Sequence, residues 1–508
     1  MLRKKYKNAI FVNPPFTEYK AAVAGIAHIR GFLKEKKIAS SILNLNDIIL
    51  SDQECYDEFL SVRKRLSATI AEHRRFTIPE FIEPEIVSGI FLSCDFDKIR
   101  KIIKDAGTFD SIFKEHLKVL ENYQIVGVSI TYKSQILFSL MLANYIKNNI
   151  GDSTRVVFGG GIVTSHVNDF LEFLKDDPLV DFFVVGEGET AIRKLIDDNE
   201  PSHIPNLIYK KGKKYRFSEK QGFFENIVKL PAPLYEPEDI PTLYMSRQCY
   251  WSKCAFCNYD RNYHKKFLNI SVDDTIDKLK KINNDIKNKD ATFYFADSSL
   301  PLNFAAGFSR RIIEDDSLPR NYRAYMRMEN SLDENFLRLV RSAGFGRGGL
   351  GRISFGLETI VPRLQKIINK GINIDYAMRI LDICAKLDIY IDLNIMIGLP
   401  TQTKEEFLSE LEFMRSVLEK YDNINILCKP LLVQRDSELY YNPELYNIEI
   451  VPAKTGDLFK MGYQFTQKYQ NAISTREAVI LFLDFYCRLP ENKQKKFSYF
   501  NKLMLYPS

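Results

Sequence analysis

Cys249-Tyr-Trp-Ser-Lys-Cys254-Ala-Phe-Cys257 gathers three of the chain's eight cysteines and its one tryptophan into nine residues. In a reducing compartment, clustered thiols are metal ligands more often than disulfide partners. Three thiolates in one short loop can hold three irons of a cubane cluster and leave a fourth iron open, whereas a structural or electron-transfer cluster normally has four protein ligands. An open iron implies a substrate or cosubstrate on it. Two other centres fit the residues. Zinc could use His264, seven residues beyond Cys257, as a fourth ligand. A plant-type [2Fe–2S] centre shares the C-x4-C-x2-C spacing, with Cys384 as the next cysteine, far along the chain in a helical pattern. The fold around the loop decides among them.

Around this loop, apolar runs alternate with helical patterns. The runs are Thr242–Met245, Ala291–Ala296, Tyr322–Met326, Arg352–Phe355, Ile389–Met396 and Asn425–Cys428. Six strands with intervening helices fit a partial (βα)6 barrel of the TIM type, and barrel enzymes place their chemistry in loops after strands. The cysteine loop directly follows the first. Ser331-x-x-Glu334 and Thr403-x-x-Glu406 read as capping boxes, each opening a helix.

The first two hundred residues carry a second alternation. Ile10–Val12, Ser41–Leu45, Ile125–Ile130, Arg155–Phe158 and Asp181–Val185 are apolar throughout, as parallel strands covered on both faces should be. They predict a Rossmann-like, doubly wound α/β domain over about 1–200, interrupted at 50–120 by a helical insertion that includes Asp97–Ile103. Glycine runs follow the fourth and fifth strands, at Gly159-Gly160-Gly161 and Gly186-Glu187-Gly188. At that edge open sheets bind ligands, and glycine lets backbone approach a flat ligand or a phosphate. Residues 201–238 read as a hairpin turning at Gly212 and a proline-rich linker, 239–435 as the barrel, and 436–508 as a mainly helical C-terminal segment.

A net charge of +6 on 508 residues, with basic residues scattered or in short runs, predicts no nucleic-acid grip. No apolar run is long enough to span a bilayer and no signal peptide opens the chain, so the expectation is a cytoplasmic protein with no membrane partner. The other five cysteines sit singly in apolar surroundings and read as small core residues.

Two resemblances sharpen these patterns. Ser246-Arg-Gln-Cys-Tyr-Trp-Ser-Lys-Cys-Ala-Phe-Cys257 resembles the cluster loop of radical SAM (S-adenosylmethionine) enzymes, over about 240–435. Most of that superfamily has three residues between the first two cysteines; this chain has four, as a cobalamin-associated subset does. Val128-Ser-Ile-Thr131, Phe158-Gly-Gly-Gly161 and Val184-Val-Gly-Glu-Gly-Glu-Thr190 resemble the cobalamin-binding domain that precedes many of these enzymes. The Asp-x-His-x-x-Gly element that supplies a cobalt ligand elsewhere is absent; Asn13-Pro-Pro-Phe-Thr-Glu18 stands in its place. His28 and His166 then read as structural or solvated residues.

The resemblance implies a [4Fe-4S] cluster on Cys249, Cys254 and Cys257, with SAM on the open iron. It implies SAM contacts at Asp297, Ser298 and Ser299 after the second barrel strand, at Ser354 and Glu358 on the fourth, and at Gly398 after the fifth. Lys370-Gly371 completes the same pattern. Cobalamin would meet Ser129, Thr131, Gly159, Gly160, Gly161, Gly186, Glu187 and Gly188. The implied reaction is methylation of an unactivated carbon through a 5′-deoxyadenosyl radical and methylcobalamin, on a small-molecule or peptide substrate, with an electron donor such as flavodoxin or ferredoxin. No catalytic side chain is assigned. A non-methylating rearrangement or cyclisation is the alternative chemistry, and a corrinoid- or metal-binding regulatory protein the alternative class. The loop Arg347-Gly-Gly-Leu-Gly351 departs from the family pattern, and a flexible gate is one expectation for it.

Overall fold

The computed structural model describes residues 7–15, 24–51, 115–258, 267–288, 290–452, 459 and 462–497. The helical insertion expected near 50–120 lies almost wholly outside the described residues. The chain forms two compact units, residues 1–239 with 454–460, and 240–453 with 461–508.

The first unit is built on seven strands: β1 (Lys7–Asn13), β2 (Ser40–Asn44), β3 (Tyr123–Ser129), β4 (Arg155–Gly159), β5 (Phe182–Val184), β6 (Leu207–Lys211) and β7 (Lys214–Phe217). Their order is β2-β1-β3-β4-β5-β6-β7, and the first five are parallel. Chain order reverses between β1 and β3, so the carboxyl ends of those two strands flank the topological switch point. Successive residues face opposite ways, as the two-residue strand period requires. Val12, Val128, Phe158 and Phe183 enter one core with α3 (Ile136–Tyr145) and α4 (Gly161–Phe173). Phe11, Val157 and Val184 enter the other with α1 (Ala24–Glu35) and α5 (Glu189–Ile196). A further helix, α2 (Leu45–Ser51), follows β2.

The expected hairpin turns at Gly212, which takes φ +64°, but it is no free connector. It extends the sheet: β6 pairs antiparallel with β5, placing Phe183 opposite Ile208. Apolar Leu207 and Ile208 have core partners only if the hairpin joins the sheet. Phe459 completes this unit's core, its ring 4.6 Å from Phe170 and its amide donating to Asp169.

The second unit opens with β8 (Thr242–Leu243) and the antiparallel pair β9 (Ser246–Arg247) and β10 (Leu268–Asn269). It continues with β11 (Phe293–Phe295), β12 (Tyr322–Met326), β13 (Ile353–Glu358), β14 (Ile391–Ile397) and β15 (Ile424–Pro430). Six strands run parallel in the order β8-β11-β12-β13-β14-β15, so the sheet is open and ends at β8 and β15. That is the expected partial barrel. Helices α6 (Val272–Asp285), α7 (Leu302–Glu314), α8 (Glu334–Ala343), α9 (Pro362–Ile367), α10 (Ile374–Lys386) and α11 (Lys404–Lys420) alternate with the strands. Phe295, Phe308, Tyr322 and Phe345 seal one side of the sheet, with the Phe308 and Tyr322 ring centroids 5.1 Å apart. Tyr294, Arg323 and Tyr325, which alternate with these buried positions along β11 and β12, are only half-buried.

Two local expectations need correction. The helix expected to open at Ser331 is capped instead by Asp333, whose carboxylate accepts from the Phe336 amide at 2.8 Å. A carboxylate directly before the first helical turn reaches the free amides better than a serine two residues further out. The box at Thr403 forms as read, with Glu406 reaching back to the Thr403 amide at 2.9 Å. The glycine loop 347–351 is a closed turn, Gly351 donating to the Gly348 carbonyl, with the Gly348 face against the Tyr390 ring. It precedes β13 and so lies at the amino end of the strands, opposite to the cysteine loop. A gate over the site cannot start there.

After β15 the chain forms α12 (Glu438–Tyr441), α13 (Thr475–Cys487) and α14 (Glu491–Gln494) with small antiparallel pairs between them. Gly398 takes φ +72°, and a Cβ there would stand 3.2 Å from the Thr475 backbone. The first turn of α13 therefore packs directly on the end of β14. No helix among the described residues is long and apolar enough to cross a membrane.

Candidate functional site

The cysteine loop begins as the chain leaves β9. Asp297, at the carboxyl end of β11, fixes its root: one carboxylate oxygen accepts the Ser246 amide at 2.7 Å and the Ser246 hydroxyl at 2.5 Å, and the other the Met245 amide at 3.2 Å. Burial raises the Asp297 carboxyl to about 6, although these donors favour its charged form. Asp297 thus binds the loop's own backbone. Ser299 lies beside the Tyr250 hydroxyl.

The rest of the loop is held by the turn after α9. Ala255 donates its amide to the Ile368 carbonyl at 2.9 Å, and Trp251 its indole N–H to the Asn369 carbonyl at 3.0 Å. Arg327 donates to the Lys370 carbonyl. Three successive carbonyls are therefore each taken by the loop or by the residue that covers it. Gln365 shapes the turn from beneath: it accepts the Ile372 amide and donates to the carbonyls of Leu357 and Thr359, tying the end of β13 to the turn. Gly371 takes φ +65°, and a Cβ there would stand 3.4 Å from the Trp251 ring, so the glycine lets the ring pack closely on the turn.

The four-residue gap between Cys249 and Cys254 is filled by these contacts. Tyr250 donates its hydroxyl to Glu329 at 2.7 Å, and the Arg327 guanidinium lies 3.6 Å from the Trp251 ring centroid. The receptor is thus Arg327-Met-Glu329, the segment just beyond β12. Its signal in the sequence is two opposite charges straight after an apolar strand, which alone do not mark it as a receptor.

All three cysteines are half-buried, and the Cys257 amide closes a turn onto the Cys254 carbonyl at 3.3 Å. Burial pushes the Cys254 thiol above its ordinary value, the Lys370 ammonium pulls it back, and Glu358, Arg327 and Cys249 are the other charges that reach it. Lys370, its side chain 14% exposed, donates to Glu358 at 2.9 Å. Burial alone would lower its pKa, but Glu358 and Cys254 outweigh that and hold it raised. Glu358 is itself buried at φ +66°. The Ser354 hydroxyl, one strand period before Gly356, is buried with no hydrogen-bond partner among the described residues.

The donor set suits thiolate-bound iron. Three cysteines sit on one braced loop, and two cations beside Cys254, buried Arg327 and half-buried Lys370, offset the charge that deprotonated thiols bring. Among the described residues, no three His, Cys, Asp or Glu side chains are grouped to hold a single metal ion. His264 lies outside the described residues. Cys384 is buried on α10 with its thiol pushed up to about 12 by burial alone, and Cys428 is buried in β15. Both are core residues, as read; Cys487 is exposed, while Cys55 and Cys94 lie outside the described residues.

In the first unit the two glycine runs form one structure. The Thr164 hydroxyl donates to the Gly160 carbonyl at 3.0 Å and accepts the Gly186 amide at 2.9 Å. Gly160 takes φ +101°, and a Cβ there would lie 2.6 Å from the Ile130 carbonyl oxygen. Gly161, at the start of α4, is exposed with open space before it. Gly188 is buried against Ile29, and the Glu187 carboxylate accepts the Glu225 amide. Ser129 and Thr131 flank the end of β3. There Gln135 accepts the amides of Thr131 and Tyr132 and donates to Asn13 and to the Pro14 carbonyl, bracing the switch point. His166 is buried, with Nδ1 2.7 Å from the Ser165 hydroxyl. An open, glycine-faced strand edge suits a large flat cofactor.

Comparison with known proteins agrees with this architecture. Residues 243–414 match the model of the radical SAM superfamily. An uncharacterised methyltransferase of Pyrococcus horikoshii, PH0819, is 25% identical over 332 residues, covering 62% of this chain and 70% of that protein. Among solved structures, the cobalamin-dependent SAM radical enzyme OxsB, with aqua-cobalamin and SAM bound, aligns with a TM-score of 0.63 at 13% identity over 98% of this chain and 71% of its own. The radical SAM methyltransferase TsrM from Kitasatospora setae, with cobalamin and a [4Fe-4S] cluster bound, aligns with a TM-score of 0.58 at 15% identity over 93% of this chain and 84% of its own. Residues 243–414 are thus similar to the radical SAM superfamily, and the chain shares its fold with solved cobalamin-dependent radical SAM enzymes.

Proposed function

We propose that this protein is a cobalamin-dependent radical SAM methyltransferase that transfers a methyl group to an unactivated carbon. The observation that carries the reading is the braced three-cysteine loop beside Lys370 and Arg327, in a chain whose first unit offers an open glycine edge. Cys249, Cys254 and Cys257 would each hold one iron of a [4Fe-4S] cluster, leaving the fourth for SAM. When bound, the cluster supplies the electron that cleaves SAM and cobalamin supplies the methyl group.

The chain's residues hold and screen these groups. Asp297 and the 368–371 turn fix the loop so that the thiol positions are set before any cofactor arrives. Lys370 pairs with the Glu358 carboxylate at the end of β13, which would offer an acceptor to a SAM ribose or amino group. The Ser354 hydroxyl has a spare donor on the same strand. Ser298, Ser299 and Gly398 complete the SAM contacts, with α13 closing the Gly398 side. In the first unit, Gly159, Gly160, Gly161 and Gly186 would face the corrin, with Ser129 and Thr131 at the switch point and Glu187 and Gly188 shaping the fifth-strand turn. The substrate is a small molecule or peptide, and reduction comes from a flavodoxin- or ferredoxin-type donor in the cytoplasm.

The test uses anaerobically reconstituted protein loaded with hydroxocobalamin and SAM carrying a deuterated methyl group. Transfer of label to carbon of a co-purified or screened substrate, alongside 5′-deoxyadenosine, supports the reading. Deoxyadenosine with an isomerised or cyclised but unlabelled product would reassign the chemistry, and corrinoid binding without SAM cleavage would point to a regulatory protein.

A further inference from the structure

The gap between Cys249 and Cys254 places two aromatic residues beside the site, and both are received by a pair of charged residues just past β12. Arg327 is buried. Its guanidinium stacks on Trp251 at 3.6 Å and donates to the Lys370 carbonyl, while Nε stands 3.4 Å from Glu329. Glu329 is shared, since it also accepts the Tyr250 hydroxyl. If the segment served only to pack Trp251, an apolar side chain of similar length would do so without the desolvation that a buried guanidinium carries. What the guanidinium adds is a charge. That charge acts on Cys254 and Cys249, the two ligands bracketing the wider gap.

We infer that Arg327 is a positioning residue of the cluster loop: stacked on Trp251 and bonded to the Lys370 carbonyl, it fixes the Tyr250–Lys253 segment and holds a positive charge beside Cys249 and Cys254 that raises the reduction potential of the cluster. The inference rests on the reading of these cysteines as cluster ligands. Iron–sulfur potentials follow local charge, hydrogen bonding to sulfur and solvent exposure, so a fixed cation next to two thiolates favours the reduced, more negative state. Trp251 is the second half of the device. Its indole N–H is committed to Asn369, so the ring presents a face to the cation and keeps water from it.

Trp251 is the chain's one tryptophan, so its fluorescence reports on this contact alone. The experiment uses the full chain, first without cluster and then reconstituted. In cluster-free R327A, acrylamide should quench Trp251 with a constant roughly twofold or more above wild type, because the covering guanidinium is gone. An unchanged constant would overturn the clamp. In the reconstituted protein, redox titration followed by electron paramagnetic resonance compares R327Q, which keeps a planar polar group without charge, with R327K, which keeps charge without the planar fork. R327Q should lower the reduction equilibrium constant about tenfold, a shift of about 59 mV to more negative potential for one electron, and R327K should stay near wild type. Equal potentials in wild type and R327Q, at full iron content, overturn the inference. If R327Q does not retain its cluster, full reconstitution of R327K at the wild-type potential supports it, and loss of the cluster in both with Trp251 still shielded in R327A refutes it. A wild-type protein that assembles no iron–sulfur cluster would instead defeat the functional reading, while the quenching result would still report on the clamp.

Discussion

Replacing Lys370 by Met removes one partner of a largely buried ion pair and leaves the local backbone contacts in place. The Lys370 amide still donates to Gln365 and its carbonyl still accepts from Arg327. The side chains are 14% and 8% exposed and meet at 2.9 Å, so the carboxylate of Glu358 is left without its cation in a place that water hardly reaches. Breaking such a pair costs about 3–5 kcal/mol. The stranded carboxylate can limit that loss by taking up a proton. From an ordinary glutamate value of ~4.3, neutralisation at pH 7 costs ~1.36 × 2.7, or ~3.7 kcal/mol, and at pH 5 only ~1 kcal/mol. K370M should therefore be destabilised by about 3–4 kcal/mol at pH 7 and by about 1 kcal/mol at pH 5. The double variant K370M/E358Q, which carries no stranded charge, should recover most of the difference at pH 7. Urea unfolding of cluster-free protein, read by Trp251 fluorescence, measures all three. A loss below about 1 kcal/mol at pH 7, or a loss that does not change with pH, would refute the assignment of Lys370 as the stabilising partner of Glu358.

Glu410, buried on α11, accepts from Thr359 and, at 2.7 Å, from Gln402, and burial raises its carboxyl to about 7. A raised folded value means the native state holds its proton more tightly, so this group's contribution is full below the unfolded value of ~4.3 and is lost, by roughly 3 kcal/mol, as pH rises through 7. E410Q should flatten that part of the stability-against-pH curve, and an unchanged curve would count against the assignment. In the first unit, G160A forces a Cβ to 2.6 Å from the Ile130 carbonyl at φ +101° and should destabilise the protein by about 2 kcal/mol or more in thermal or urea unfolding. G161A meets nothing within 4 Å and should leave stability unchanged; weakened corrinoid binding in a difference titration would locate the cofactor at that face, and normal binding would move it elsewhere. D297A strands the Met245 and Ser246 amides, each worth about 1–3 kcal/mol when buried and unpaired, and should lower iron retention after reconstitution.

Both sheets were legible because their strands are continuous apolar runs covered on two faces, and period-two burial follows directly from that. The capping box at Thr403 was legible for a similar reason, since both of its bonds are local. Long-range partners were not. Arg327 and Glu329 look like ordinary charges after a strand until the loop of Tyr250 and Trp251 folds onto them, 79 residues away in the case of Tyr250 and Glu329. Gln365 carries no local signal in the sequence, and it is buried and organises the turn that receives the cysteine loop. The hairpin at Gly212 was placed correctly in sequence, but its pairing with β5 depends on which edge of the sheet is free, a property no single segment carries. Asp297 was singled out as a cofactor contact, and the bonds that it makes are to the root of the cysteine loop.

The most direct test of the three-ligand loop is the metal content and SAM chemistry of the reconstituted protein, compared with C254A. Wild-type protein should carry about four irons and four sulfides per chain, show a cluster signal that changes when SAM is added, and release 5′-deoxyadenosine, a release that C254A abolishes while corrinoid binding persists. Stoichiometric zinc with no iron, or a cluster whose signal ignores SAM and which releases no deoxyadenosine, would contradict the three-ligand loop.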